Sequence, residues 1–160
     1  MNMNESLGLK GFLKIIKKNN DGSTEVLLDD ENVITDAAKQ AQLVYLYNAS
    51  ATIFAIDSFR VGDEGTFDVE GQNPKSPDGS ETGLYAAVAL LDSTNINYTT
   101  PTVTSVVFSF DVLTSEANGQ LISEVGLFKS NDDMFNIKTF VAIPKNSTFS
   151  LHFEWTIRYA

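Results

Sequence analysis

The sequence predicts a mainly β fold, an antiparallel β-sandwich or flattened barrel with one α-helix near residues 36–48. The strongest evidence is an unbroken alternation of apolar and polar residues over residues 150–159. The apolar positions are Leu151, Phe153, Trp155, Ile157 and Tyr159. Such a strand has one apolar and one polar face, which is typical of an antiparallel sheet. In addition, no βαβ repeat occurs, and strand-like segments fill the chain from residue 103 onwards.

The first part of the chain predicts a hairpin. Residues 8–18 alternate apolar residues with lysines as a strand does, although a helix with Leu9, Phe12, Leu13 and Ile16 on one face also fits. The sequence Asn-Asn-Asp-Gly at residues 19–22 signals a turn, and Thr24 to Leu28 then forms the returning strand. We expect one domain over residues 1–160, with residues 1–31 as a candidate attachment hairpin and residues 32–160 as the sandwich core.

The helix is predicted from Ala37 to Tyr47. This segment is rich in Ala, Gln and Leu and contains no Gly or Pro. Thr35 suits the N-cap, and Asp36 suits the first turn, where the helix dipole favours a negative charge. One face of the helix would carry Ala41, Val44, Tyr45 and Asn48, with Ala37 and Ala38 one turn earlier.

The middle of the chain predicts one strand followed by long loops. Ile53 to Val61 is apolar on both faces and suits a central strand, with a turn after it. Thr66 to Gly83 is acidic and contains Gly and Pro, so we expect an exposed loop that is functional or mobile. Leu84 to Leu91 fits a short helix or strand, and Asp92 to Pro101 is polar.

The last third predicts four strands joined by turns. They fall within residues 103–112, 121–128, 137–143 and 150–159, with turn signals at Asn118-Gly119 and at residues 130–133. Together with the earlier strands this makes seven or eight in total.

Composition and charge restrict the classes of partner. The chain has a net charge of −10, only two arginines and no cysteine, so disulfides and thiolate metal sites are excluded. The one cationic cluster is Lys10, Lys14, Lys17 and Lys18, which we interpret as a solvated or edge-strand face, so no nucleic-acid partner is expected. No apolar run is long enough to span a membrane, and residues 1–11 lack the pattern of a signal peptide.

No group of residues predicts catalysis or a cofactor. The acidic runs at residues 29–31 and 63–64 lack the spacing of a calcium loop. His152, the only histidine, is expected on the polar face of the last strand, and no GxSxG motif accompanies it. A glycosidase pair of carboxylates is not specified by any local pattern. We therefore predict no metal, no cofactor and no catalytic residue.

Glu124 and Gly126 are the most informative residues of the strand at 121–128. Glu124 lies among apolar residues, and a buried charge must be paired. We hypothesise that it pairs with Arg60 or Arg158 and fixes the strand register, the alternative being an exposed glutamate. Gly126 indicates a bulge or a close approach, for example by an aromatic ring.

Four motifs together resemble a known family. Asn32-Val33-Ile34 precedes the helix, and the segment IDSFRVGDEGT at residues 56–66 follows it. The segment ISEVGLF at residues 122–128 and a closing strand with Trp155 complete the order. This order resembles that of small bacteriophage virion proteins of the tail-fibre and tail-associated kind. Asp63-Glu64 departs from that family, which usually has small residues there, and the N-terminal hairpin has no counterpart that we can place.

The resemblance implies a non-enzymatic building block of a tail, tail fibre, baseplate or neck that acts by oligomeric assembly. Its partners would be copies of itself and other virion proteins, without nucleic acid or membrane, and its location the virion, assembled in the cytoplasm of the host bacterium. It carries over no catalytic residue. Contacts are expected from Thr66–Gly83, from Asp92–Pro101 and from the N-terminal hairpin.

Two other functions remain open at this point. One is a carbohydrate- or receptor-binding module that recognises a host surface glycan through the loop aromatics Tyr85, Tyr98, Phe67 and Phe135. The other is an enzyme such as a glycan hydrolase, which would need two carboxylates across a cleft.

Overall fold

The computed structural model describes residues 8–159, which form nine strands and one helix. In chain order these are β1 (Leu9–Asn19), β2 (Thr24–Ile34), α1 (Asp36–Tyr47), β3 (Ile56–Gly62), β4 (Leu91–Ser93), β5 (Ile96–Tyr98), β6 (Ser105–Val112), β7 (Leu121–Lys129), β8 (Met134–Pro144) and β9 (Phe149–Tyr159). The expectation of no signal peptide concerns residues 1–7 in part, and these lie outside the described residues. No helix of the described chain is long and apolar enough to cross a lipid bilayer.

The strands form one nearly closed antiparallel sheet that resembles a barrel or sandwich, which confirms the predicted fold class. Their order is β4-β3-β7-β8-β2-β1-β9-β6-β5. The sheet turns at β2, which pairs with β1 from Thr24 to Asn32 but with β8 only at Val33 and Ile34. The strands β2-β1-β9-β6-β5 therefore form one layer, and β8-β7-β3-β4 form the other.

The core lies between these two layers. The apolar positions of β9 are buried as predicted, except Tyr159 at the strand end, which is exposed. The rings of Phe59, Phe110 and Phe153 stack across the core, with centroids 4.1 and 4.9 Å apart. Phe59 belongs to β3 and the other two rings to β6 and β9, so this stack joins the two layers.

The N-terminal hairpin is part of the sandwich core. β1 pairs with β9 over its whole length, from Leu9 opposite Tyr159 to Asn19 opposite Phe149, and Leu13 is fully buried. The hairpin therefore does not stand apart from residues 32–160, and the helical alternative for residues 8–18 is wrong. The partner strand β2 also continues beyond the predicted Leu28, so the acidic run at residues 29–31 lies within a strand.

The helix begins where it was predicted. The Thr35 hydroxyl accepts a hydrogen bond from the Ala38 N–H at 3.1 Å and donates one to the Met134 carbonyl at 2.8 Å. The N-cap thus also attaches the helix to β8. Ala38 is, however, the only buried residue of α1, because the helix lies at the end of the sandwich and not against its centre.

A hydrogen bond between Asn32 and Trp155 connects β2 to β9, the two strands that flank β1, close to the point where β2 changes partner. The fully buried Trp155 donates its indole Nε1–H to the Asn32 Oδ1 atom at 2.7 Å. Gly11 lies opposite Asn32 on β1, and a Cβ atom at Gly11 would overlap the Asn32 side chain. The Asn-Val-Ile segment at residues 32–34 and the closing strand with Trp155 are therefore in direct contact, and Gly11 makes this contact possible.

We expect the substitution Gly11→Ala to destabilise the fold by about 2 kcal/mol, because the new methyl group would displace the Asn32 amide from the Trp155 indole. The midpoint of thermal unfolding should fall by about 6 °C. Gly83→Ala is the matched control, since a Cβ atom there has open space around it, and it should leave the midpoint nearly unchanged. Equal midpoints for both variants would contradict this account of Gly11.

Candidate functional site

Glu124 is fully buried, but its partner is not an arginine. Its two carboxylate oxygens accept hydrogen bonds from the backbone N–H groups of Tyr85 and Ala86, each at 2.8 Å. Arg60 instead binds Asp92 and Asp132, and the Arg158 guanidinium lies over the Phe12 ring at 4.4 Å. The predicted arginine pair is therefore wrong, because backbone amides of a distant loop satisfy the carboxylate.

Two glycines allow β3 and the residues after it to approach Glu124 and its neighbour Ser123 closely. A Cβ atom on Gly62 would overlap the Glu124 carboxylate, and one on Gly65 would overlap the Ser123 backbone carbonyl. The Gly65 N–H also donates to the Ser123 hydroxyl at 2.9 Å. The VGDEGT and SEVGLF motifs thus meet at one buried site. Burial raises the pKa of Glu124, while the N–H groups of Ala86 and Tyr85 act in the opposite direction.

Gly126 and Arg60 lie beside each other on neighbouring strands. A Cβ atom at Gly126 would come within 2.9 Å of the Asn136 carbonyl and 3.2 Å of the Phe128 ring, so the glycine permits a close approach. The pairing of β7 with β8 shifts register on both sides of Gly126. The guanidinium of Arg60 lies 3.9 Å from the centre of the Phe128 ring, which adds a cation–π contact to its two ion pairs.

The other candidate residues have local structural partners. Asp30 accepts a hydrogen bond from Lys138 at 2.8 Å, and no group of three or more metal-ligating side chains occurs within residues 8–159. His152 lies between Asp111 at 2.9 Å and Glu154 at 3.4 Å on the solvent side of β9. No serine hydroxyl is hydrogen-bonded to His152 in the described chain. Asp111 is its cross-strand partner, and Glu154 is its neighbour on the same face of β9.

The four aromatic residues proposed for a sugar site do not form one platform. Tyr85 lies under the Lys75 ammonium at 4.6 Å and hydrogen-bonds to Glu81 at 3.0 Å. Phe67 is at the tip of the long loop, whereas Tyr98 and Phe135 line a groove beside α1. The four rings are thus divided among three places in the molecule.

An extended uncharged surface is visible in the sequence as two long segments without charged residues, a signal that the patterns of single strands and helices do not reveal. Residues 40–56 and 93–110 include no Asp, Glu, Lys, Arg or His, in a chain with a net charge of −10. In the fold, these two segments lie side by side, and we call them the apolar end. They carry the exposed apolar side chains Leu43, Leu46, Tyr47, Ile53, Tyr98 and Val103. Apolar patches of this kind mark interaction sites.

A groove of about 430 Å³ lies within the apolar end, between α1 and the open end of the sandwich. Its walls are mostly aromatic and aliphatic and include Tyr45, Phe54, Tyr98 and Phe108. Among the described residues that line it, Lys129 is the only charged one. The groove therefore combines apolar walls with a single positive charge, a composition that is typical of binding sites.

Comparison of this chain with protein-family models, with curated proteins and with solved structures finds no match.

We expect the stability of the protein to depend on pH through Glu124. Its folded-state pKa is raised above the ordinary value of 4.5, so the folded chain keeps this proton at a pH where the unfolded chain has lost it. The free energy of unfolding contributed by this group is thus fully present below the unfolded pKa and falls as the pH rises through the folded pKa.

Urea unfolding of the wild type and of Glu124→Gln, from about pH 4 to about pH 7, measures this effect. The stability of the wild type relative to the Gln variant should decrease as the pH rises. The comparison removes the contributions of the other carboxyl groups, which both proteins share. A relative stability that increases with pH would mean that the pKa of Glu124 is not raised.

Proposed function

We propose that this chain is a non-enzymatic structural subunit of a bacteriophage virion, a building block of a tail, tail fibre, baseplate or neck. It acts by assembling with copies of itself and with other virion proteins, in particles built in the cytoplasm of the host bacterium. The observation that carries the assembly function is the apolar end, an uncharged and exposed surface on an otherwise strongly acidic protein. The resemblance of the four motifs to tail-associated proteins supports the virion context.

The charge distribution favours association through the apolar end. Identical subunits with a net charge of −10 repel one another over most of their surfaces. A surface without charges reduces that repulsion locally and provides the apolar area that drives association. No other stretch of the sequence combines such a length with a complete absence of charged residues.

The helix α1 is also less deeply buried than a helix that packs on a core. It has twelve residues and only one buried side chain, Ala38, whereas isolated helices of this length are marginal in water. Its outer side presents Leu43, Leu46 and Tyr47, at the spacing of one helix face. A neighbouring subunit that covers this face would supply further contacts.

Labelling of particles tests the virion function. Particles produced from the genome that encodes this chain are purified, labelled with a gold-conjugated antibody against the protein, and imaged. Gold on the tail, fibres, baseplate or neck is the expected result and gives the location. Protein that is abundant in the lysate but unlabelled on intact particles would overturn the virion function.

Substitution of Leu46 tests assembly through the apolar end. Leu46→Asp introduces a charge at a position that is 82% exposed, so the monomer should remain folded. We expect the dissociation constant of the oligomer, measured by light scattering over a range of concentrations, to rise at least about tenfold. Val88→Asp is the matched control, because Val88 is equally exposed but lies outside the apolar end. Equal effects of the two substitutions would contradict assembly through this surface.

A further inference from the structure

Lys129 is a largely buried lysine whose ammonium has no anionic partner among residues 8–159. Side chains alternate along β7, so Lys129 points to the same face as Val125 and Leu127, which is the face that packs in the core. The residue as a whole is only 7% exposed, but its ammonium opens to the groove and makes no hydrogen bond, ion pair or ring contact with any residue in the range 8–159. A single positive charge on the wall of an otherwise apolar groove favours a group with one negative charge as the occupant of that groove.

The groove around Lys129 restricts the chemistry of that anion. The described residues that line it include no Asp or Glu, and most of its walls are apolar side chains such as Tyr45, Phe54 and Phe108. A fitting group therefore carries one carboxylate next to exposed apolar side chains.

The tip of the long loop has this composition. Phe67 is 71% exposed and Val69 is 91% exposed, and Glu70 beside them has an exposed carboxylate without an ion pair or hydrogen bond within the described chain. We call residues 67–70 the loop tip. The groove offers apolar walls and one positive charge, and the loop tip offers apolar side chains and the negative charge of Glu70. The two surfaces are therefore complementary in charge.

The loop tip is held in one conformation by its own hydrogen bonds. The Asp68 carboxylate accepts from the N–H groups of Gln72 at 2.9 Å and Asn73 at 2.7 Å. The Phe67 N–H donates to the Asn73 carbonyl at 2.8 Å. A surface that is already ordered loses little conformational entropy on binding.

The loop tip and the groove lie at opposite ends of β7. Gly71 follows the tip and accepts a hydrogen bond from the Ala142 N–H at 2.7 Å, and the next residue, Ile143, pairs with Ile122 near the start of β7. Lys129 ends the strand, about 23 Å further along. Complementary surfaces at opposite ends of a molecule make head-to-tail contacts, which repeat as rings or filaments.

We infer that the loop tip of one copy docks into the groove of the next copy. In this contact Phe67 and Val69 bind the apolar walls, and the Glu70 carboxylate pairs with the Lys129 ammonium. The inference rests on the proposed assembly function and extends it by naming the two surfaces that meet. Because the contact joins unlike surfaces, each bound copy leaves one tip and one groove free for further growth.

Exchange of the two charges tests this contact. Glu70→Lys and Lys129→Glu each place like charges opposite each other, so each variant alone should self-associate at least about a hundredfold more weakly than the wild type. An equimolar mixture of the two variants should assemble again, because every tip then has a groove of opposite charge. Sedimentation velocity at low salt measures the assembled fraction.

Control variants separate this contact from general charge effects. Glu25→Lys and Lys18→Glu change the net charge in the same way at exposed positions of the first hairpin and should leave assembly close to that of the wild type. If Lys129→Glu does not fold, the neutral variants Glu70→Gln and Lys129→Met replace it. Their effects on the dissociation constant should then be non-additive in the double variant.

The outcomes distinguish the inferred contact from the proposed function. Failure of the folded variants to reassemble in the mixture, or strictly additive effects of the neutral pair, would overturn the contact between tip and groove. If Leu46→Asp disrupts assembly in that case, the assembly function stands and a different surface completes the interface. A wild-type chain that stays monomeric at every concentration would overturn this contact as well.

Discussion

The buried carboxylate of Glu124 is the interaction on which the irregular part of this structure depends. An ionisable group without access to water needs hydrogen-bond donors, and two backbone N–H groups at 2.8 Å provide them. These donors belong to residues 85 and 86, in a long connection that forms almost no regular secondary structure. One side chain of β7 therefore attaches this connection to the sheet, in addition to backbone hydrogen bonds such as that from Ala142 to Gly71. Gly62 leaves space for the Glu124 carboxylate, and Gly65 leaves space for the adjoining backbone of β7.

The same loop also connects Glu124 to the start of the helix α1 through hydrogen bonds. Near Glu124, the Tyr85 hydroxyl donates to Glu81, and burial together with that carboxylate raises the pKa of Tyr85 to about 12. Glu81 accepts the Gly79 N–H at 2.9 Å, and the Gly79 carbonyl accepts the Asp36 N–H at 2.8 Å at the start of α1. The position of the helix, and with it the apolar end, is thus linked to the buried carboxylate through consecutive hydrogen bonds.

The two surfaces that we assign to assembly differ in how they are built. The loop tip is compact and is fixed by Asp68, whose pKa is lowered first of all by the backbone hydrogen bond from Gln72. The groove is open because α1 contributes only Ala38 to the buried interior and leaves space between the two layers. A rigid projection and a partly open recess on one acidic molecule favour repeated contacts between unlike surfaces over symmetric pairing.

The sequence by itself determined the fold class, the helix with its Thr35 cap and most of the strands, because these depend on local periodicity and capping. It also contained the signals of the glycines and of the buried Glu124, but not the identity of their partners. The partners of Glu124 are two backbone N–H groups. Because almost every residue has such a group, the residue types in the sequence cannot identify which ones bind the carboxylate. Only the tertiary structure brought residues 40–56 and 93–110 together around Lys129, because contacts between distant segments depend on sheet topology and not on local sequence.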